Sequence, residues 1–114
     1  MRLWLDDERD PKDQCIQERF GAEGDEFWVK NAAQAIHYLR QGNVSFISLD
    51  HDLGPGAGTG TDVAKFIEEQ AFLGTLPRLE WDLHTMNPVG RKEMGRAMRN
   101  ADISWGKHES EATK

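Results

Sequence analysis

Short apolar runs alternate with helically spaced segments along the chain, and this alternation restricts the fold more than any other feature of the sequence. Arg2–Leu3–Trp4–Leu5, Phe27–Trp28–Val29, Phe46–Ile47–Ser48–Leu49 and the stretch from Leu79 to His84 read as strands. Between and after them, apolar residues recur at helical spacing: Cys15, Ile16 and Phe20; Ala32, Ala35, Ile36 and Leu39; Val63, Phe66 and Ile67; Met94, Ala97, Met98 and Ala101. Strands joined through helices run parallel, and the crossovers place the helices on the sheet faces. The expected fold is therefore a single α/β domain over residues 1–114, with a parallel sheet of four to five strands and helices on both faces. A fifth strand would fall at Ile103–Ser104–Trp105.

Punctuation residues support the same division. Asp10–Pro11 and Asn87–Pro88 read as N-cap and first helical residue, Asn31 as another N-cap, and Thr59 or Thr61 as a third helix start. Gly21 and Gly42 read as helix ends. In the fourth apolar run Leu79, Trp81 and Leu83 alternate with Glu80, Asp82 and His84, which suits a half-exposed strand near a sheet edge. The polar segment 108–114 is expected to be a frayed tail.

A chain of 114 residues is long enough to bury one core without disulfides. Cys15 is the only cysteine, which excludes a disulfide framework and zinc-type cysteine spacing. No apolar run approaches a membrane span, and Met1–Arg2–Leu3–Trp4 enters a strand without a signal-peptide pattern, so a cytoplasmic location is expected. The net charge of −6 argues against a nucleic-acid coat, and no duplex DNA partner is expected. Small anionic ligands and RNA ends stay open.

Ionisable residues cluster where strands end. Asp6 and Asp7 follow the first strand, Asp50–His51–Asp52 the third, and His84–Thr85 the fourth. In an open parallel sheet these C-terminal ends share one edge, where such folds bind ligands. Crowded carboxylates repel one another, and a hard cation such as Mg²⁺ relieves this through oxygen ligands. Asp6, Asp7, Asp50 and Asp52 are the candidate ligands. His51 lies between two aspartates that favour its protonated form, which suits a proton donor. His84 is a second candidate at the same edge, whereas His37 and His108 read as bystanders. The Gly54, Gly56, Gly58, Gly60 run lacks a Walker or dinucleotide spacing; it reads either as a mobile loop or as a lid or phosphate cradle. Asn87 caps a helix whose positive end faces the acids, with Arg91 one turn in, so an anionic group could be held there. The Lys92, Arg96, Arg99 stripe reads as a solvated face.

The layout resembles a response-regulator receiver domain, a flavodoxin/CheY-like fold, with an acidic pair after strand one, Asp50 after strand three and Thr85 after strand four. The lysine that ends strand five in receivers has no clear match, Lys107 being a poor one. Four motifs are similar to a narrower group, the cyclic-phosphate-processing receiver-like family: Leu3-Trp4-Leu5-Asp6-Asp7-Glu8-Arg9, Ser48-Leu49-Asp50-His51-Asp52-Leu53-Gly54, Gly60-Thr61-Asp62-Val63-Ala64 and His84-Thr85-Met86-Asn87-Pro88-Val89-Gly90-Arg91. The resemblance implies a bacterial or phage phosphoesterase acting on cyclic phosphates in RNA or nucleotides. By position it implies Arg9, Asn87 and Arg91 as substrate contacts, and Thr85, the hydroxyl of the receiver layout, is a further one.

The expected activity is metal-assisted opening of a cyclic phosphate. Asp6, Asp7, Asp50 and Asp52 would hold the cation, His51 would act as acid and His84 as base. The alternatives are a non-catalytic nucleotide-binding module and a switch phosphorylated on Asp50.

Overall fold

The computed structural model describes residues 1–112. Its elements in chain order are β1 (Arg2–Leu5), α1 (Gln14–Phe20), β2 (Phe27–Val29), α2 (Ala32–Arg40), β3 (Phe46–Leu49), α3 (Gly60–Leu73), β4 (Glu80–Leu83) and α4 (Pro88–Ala112). The strands form one sheet in the order β2-β1-β3-β4, and every pairing is parallel. The single α/β domain with a parallel sheet is the architecture expected from the alternation, in its four-stranded form.

Register sorts the side chains onto two faces. Leu3 and Leu5 align with Ile47 and Leu49, which align with Trp81 and Leu83. These residues join Ala35 and Leu39 of α2, Val63 and Ile67 of α3, and Met94 and Met98 of α4 in one apolar core. Full burial of a Leu or Ile contributes roughly 1.5–3 kcal/mol relative to exposure. Trp4, Ser48 and Asp82 align on the opposite face, where α1 brings Phe20 against the ring of His84. The helices do lie on both faces, but unequally: α1 alone serves the Trp4 face.

That imbalance explains β4. It is an edge strand with Glu80 and Asp82 exposed on the thinly covered face and Leu83 buried on the other, as the alternation predicts. The outer edge at Leu83 is satisfied by side chains. Its N–H donates to Asp82 Oδ1 at 2.8 Å and its carbonyl accepts from Arg91 Nη1 at 3.0 Å.

Three expectations need correction. Ile103–Ser104–Trp105 is helix, because the spacing Met94, Ala97, Met98, Ala101, Trp105 continues without a break and carries the Trp105 indole to the Leu76 carbonyl at 2.8 Å. The segment from His108 stays helical to Ala112, held by Arg78–Glu109 hydrogen bonds of 2.7 and 2.8 Å and by a 3.0 Å bond between His108 Nε2 and the Phe72 carbonyl; the rest of the expected tail lies outside the described residues. The first helix starts later than Asp10–Pro11. Asp10 Oδ1 accepts from the Lys12 N–H and forms a turn, and Asp13 is the cap, accepting from the Cys15 N–H. The other caps match: Asn31 for α2, Thr59 with a reciprocal Asp62 bond for α3, and Asn87 Oδ1 accepting from Gly90 N–H for α4.

Gly60 lets α3 start directly against β3. A Cβ there would run into the Asp50 carbonyl and Met94 Sδ. The first turn of α3 is thereby seated beside the acidic strand end.

Candidate functional site

The C-terminal ends of β1, β3 and β4 meet at one edge, as a parallel sheet requires. Asp6, just past β1, is fully buried. The chain turns tightly behind it, so Oδ1 accepts from the Glu8 and Arg9 N–H groups at 2.9 and 3.0 Å. Two tryptophans brace this turn: the Trp28 indole donates to the Asp6 carbonyl at 2.7 Å and the Trp4 indole to the Arg9 carbonyl at 2.9 Å. Asp6 Oδ2 faces His84 Nε2 at 3.0 Å and Arg9 Nη1 at 3.3 Å.

Asp50 is buried beside it. Its Oδ1 accepts from the His51 N–H at 2.9 Å, and Oδ2 lies 3.7 Å from Arg9 Nη1. Asp7 is half-buried and completes the group. Asp6, Asp7 and Asp50 each offer one oxygen, all within 4.8 Å of one another, so the three could hold a divalent cation. Their donor chemistry, hard anionic oxygen at a cleft wall, fits Mg²⁺ or Mn²⁺. Asp52 is not part of this group. It is exposed and turned toward His51 and Asn87.

The environments of Asp6 and Asp50 separate them chemically. Burial pushes the Asp6 carboxyl up, but hydrogen bonds from His84 and from the Arg9 and Glu8 N–H groups outweigh it, and its pKa lies below the usual value. Burial also pushes Asp50 up, and the Asp6 charge adds to that; the opposing effects of His84, Thr85 and the His51 N–H do not compensate, so its pKa is raised. Asp6 is the settled anion, and Asp50 is the carboxylate whose charge most needs a cation.

A cleft of about 320 Å³ opens over this floor, lined by Asp7, Glu8, Arg9, Asp50, Asp52, Gly54, Thr85 and Met86. On its far rim His51 Nδ1 lies 3.2 Å from Asp52 Oδ1, and Asn87 Nδ2 donates to Asp52 Oδ2 at 3.3 Å. The His51 bond, with that from Asn87, keeps the Asp52 carboxyl below its usual pKa. The His51 ring rests against the first turn of α4, where a Cβ on Gly90 would overlap it. The glycine loop is pinned rather than free-standing: Asp52 pairs with Thr59, and Ala32 N–H donates to the Ala57 carbonyl at 3.0 Å. A larger groove of about 700 Å³ runs between α3 and α4 past Lys65, Val89, Lys92 and Arg96, but it contains none of the acids.

The structure brings most of the candidate residues to this edge and sets two of them away from the cleft. His84 is at the expected edge but is 4% exposed, with both ring nitrogens engaged, by Asp6 and by Ser48 Oγ at 2.7 Å. It lies beneath the acids and does not line the cleft. Arg91 turns to the Leu83 carbonyl at the sheet edge instead of the cleft. Arg9, Thr85, Asp7, Asp50 and Asp52 do line it, and Asn87 stands at the rim. Ser48, Glu8 and Met86 were missed. Ser48 was legible as a hydroxyl at a strand position with apolar neighbours, its register partner Asp82 two residues before the histidine that needs it. Arg9 is the positive charge beside Asp50, and Lys107 is exposed on α4.

No helix among the described residues is long and apolar enough to cross a membrane. Neither a curated protein nor a solved structure matches the chain significantly. The family model described as the cyclic-phosphate processing receiver domain matches residues 1–100, nearly the whole length and all three strand ends that build the cleft. The chain thus belongs to the cyclic-phosphate processing receiver domain family.

Proposed function

We propose that this protein hydrolyses a cyclic phosphate on a nucleotide or an RNA end, opening the ring to a monoester. The observation that carries the reading is the buried Asp6–Asp50 pair under a cleft that also presents Arg9 and Thr85. Held by Asp6, Asp7 and Asp50, a divalent cation would supply Lewis-acid polarisation of the phosphoryl group. Arg9 and Thr85 contact the phosphate oxygens, one by charge and one by its hydroxyl. Ring opening adds water across one P–O bond: the attacking oxygen loses a proton and the leaving ribose oxygen gains one. His51, half-buried at the rim and oriented by Asp52, delivers the proton to the leaving oxygen. The attacking water gives up its proton to bulk solvent through the open cleft; a cation held by Asp6, Asp7 and Asp50 would make that water more acidic. His84 is a positioning residue that holds Asp6.

The test is incubation of purified protein with 2′,3′- and 3′,5′-cyclic nucleotides and with RNA ending in a 2′,3′-cyclic phosphate, with and without Mg²⁺. Formation of the ring-opened monoester supports the reading. Binding without turnover of any of these would overturn it in favour of a nucleotide-binding module. The burial of His84, expected as the base, and the diversion of Arg91, expected as a substrate contact, favour that second reading.

A further inference from the structure

The acid cluster already contains a cation, the guanidinium of Arg9. Its Nη1 lies 3.3 Å from Asp6 Oδ2 and 3.7 Å from Asp50 Oδ2, bridging the two buried carboxylates. A carboxylate has about four acceptor positions, and those of Asp6 are taken by the Glu8 and Arg9 N–H groups, His84 Nε2 and Arg9 Nη1. Three of these donors cannot withdraw. The two N–H groups belong to a turn braced by Trp4 and Trp28. His84 is clamped by Ser48 on its other nitrogen and by Trp4 on its face. The Arg9 side chain is the exception. It is 30% exposed, long, and makes the longest of the four bonds.

We propose that a divalent cation and the Arg9 guanidinium are alternative occupants of the Asp6–Asp50 pair, and that the cation's arrival releases Arg9 to hold the phosphate of the ligand. The released side chain has a place to rest. Its guanidinium carbon lies 4.4 Å from the Phe20 ring centroid, a cation–π contact independent of the acids. It already lines the cleft beside Thr85. A divalent cation outcompetes one guanidinium at three clustered carboxylates because it carries twice the charge and coordinates at shorter distance. Without the cation, Arg9 neutralises the acids and is withheld from an anion. Cation and phosphate therefore bind with positive coupling that passes through one side chain. This inference rests on the proposed cation site but not on turnover.

The test uses Mn²⁺ alone and adenosine 3′-monophosphate, which has no cyclic bond left to open. Arg9→Gln is expected to bind Mn²⁺ about fivefold or more tightly than wild type, at the low end of typical coupling factors. In wild type, saturating Mn²⁺ should tighten nucleotide binding, and in Arg9→Gln that gain should collapse toward the part due to direct cation–anion attraction. Unchanged or weaker Mn²⁺ binding by Arg9→Gln overturns the inference. So does an equal coupling factor in both proteins, which would mean simple charge attraction. Circular dichroism checks folding; should the Gln variant unfold, Arg9→Met, which keeps the apolar stem against Phe20 and loses the charge, carries both measurements with the same expected directions. A protein that shows the coupling yet never opens a cyclic phosphate keeps this inference and loses the hydrolase. Hydrolysis with no Mn²⁺ binding does the reverse.

Discussion

His84 lies flat on Trp4, with ring centroids 3.9 Å apart and planes inclined by 10°. The stack fixes the imidazole plane, and the hydrogen bonds at its two nitrogens fix its rotation, so Asp6 is held from a direction that does not obstruct the cleft. His84 is thus part of the wall behind the acids.

That placement gives a prediction about stability. His84→Ala removes the stack, empties a buried volume and leaves the Asp6 carboxylate short of a donor. Urea denaturation should show a loss of about 1–3 kcal/mol, the usual cost of stranding a buried polar group. Ser48→Ala should cost less, about 0.5–1.5 kcal/mol. If His84→Ala were as stable as wild type yet lost cyclic-phosphate hydrolysis by roughly 10²-fold or more, the range for losing an acid or base, His84 would be a reacting group after all.

Gly90 offers a test of the histidine on the rim. A Gly→Ala change stabilises a helix interior by about 1 kcal/mol, and less in a first turn such as that of Gly90. Here the new methyl would occupy the space of the His51 ring. Gly90→Ala is expected to displace His51, reduce turnover sharply and forfeit the helix gain. Proton NMR of the histidine ring beside a hydrolysis assay reads both effects. Activity equal to wild type would show that the position of His51 is not critical.

What was legible in the sequence, and what was not, follows from how far each signal reaches. The strand ends were legible because acids that terminate apolar runs in a parallel sheet can collect only at one edge. The places of Asp7, Asp50 and Thr85 in the cleft, with Asp6 buried beneath it, followed. Burial beyond that edge was not legible. His84 and Arg91 sit in a motif with Thr85, and spacing alone cannot say that one packs under a tryptophan and the other caps an edge carbonyl. The suggested fifth strand failed for a related reason. Three residues of mixed polarity fit either period, and only the longer Met94-to-Trp105 spacing decides for helix.

Asn87 serves two partners with its two ends. Oδ1 caps α4 through the Gly90 N–H at 3.0 Å, and Nδ2 donates to Asp52 at 3.3 Å. Asn87→Ala should cost about 1 kcal/mol through the lost cap. Asn87→Asp should keep the cap but set a carboxylate against Asp52 and the incoming phosphate, so ligand affinity should fall while the thermal midpoint changes little. A variant that binds nucleotide like wild type would reduce Asn87 to a cap.

The opposed shifts of Asp6 and Asp50 predict a stability profile with a maximum on the acid side. For Asp6 the folded value is depressed below the ordinary carboxylate value. Its contribution is therefore present above the unfolded value and is lost as pH falls through the folded one. For Asp50 the folded value is raised above the ordinary carboxylate value, so its charge opposes folding at neutral pH, and that penalty is relieved as pH falls through the folded value. Lowering the pH from 7 should first raise the thermal midpoint as Asp50 takes up a proton, then lower it as Asp6 is protonated. Asp50→Asn should raise the midpoint at pH 7, abolish the first rise and weaken Mn²⁺ binding, since it removes a charged oxygen ligand. In wild type, saturating Mg²⁺ should also suppress the rise, because a cation bound at Asp50 opposes its protonation. Thermal melts from pH 7 downward, with and without Mg²⁺, measure each of these. A wild-type midpoint that only falls on acidification, with Asp50→Asn no more stable than wild type at pH 7, would show that the Asp50 charge is already fully compensated, and Arg9 would then be the group to account for it.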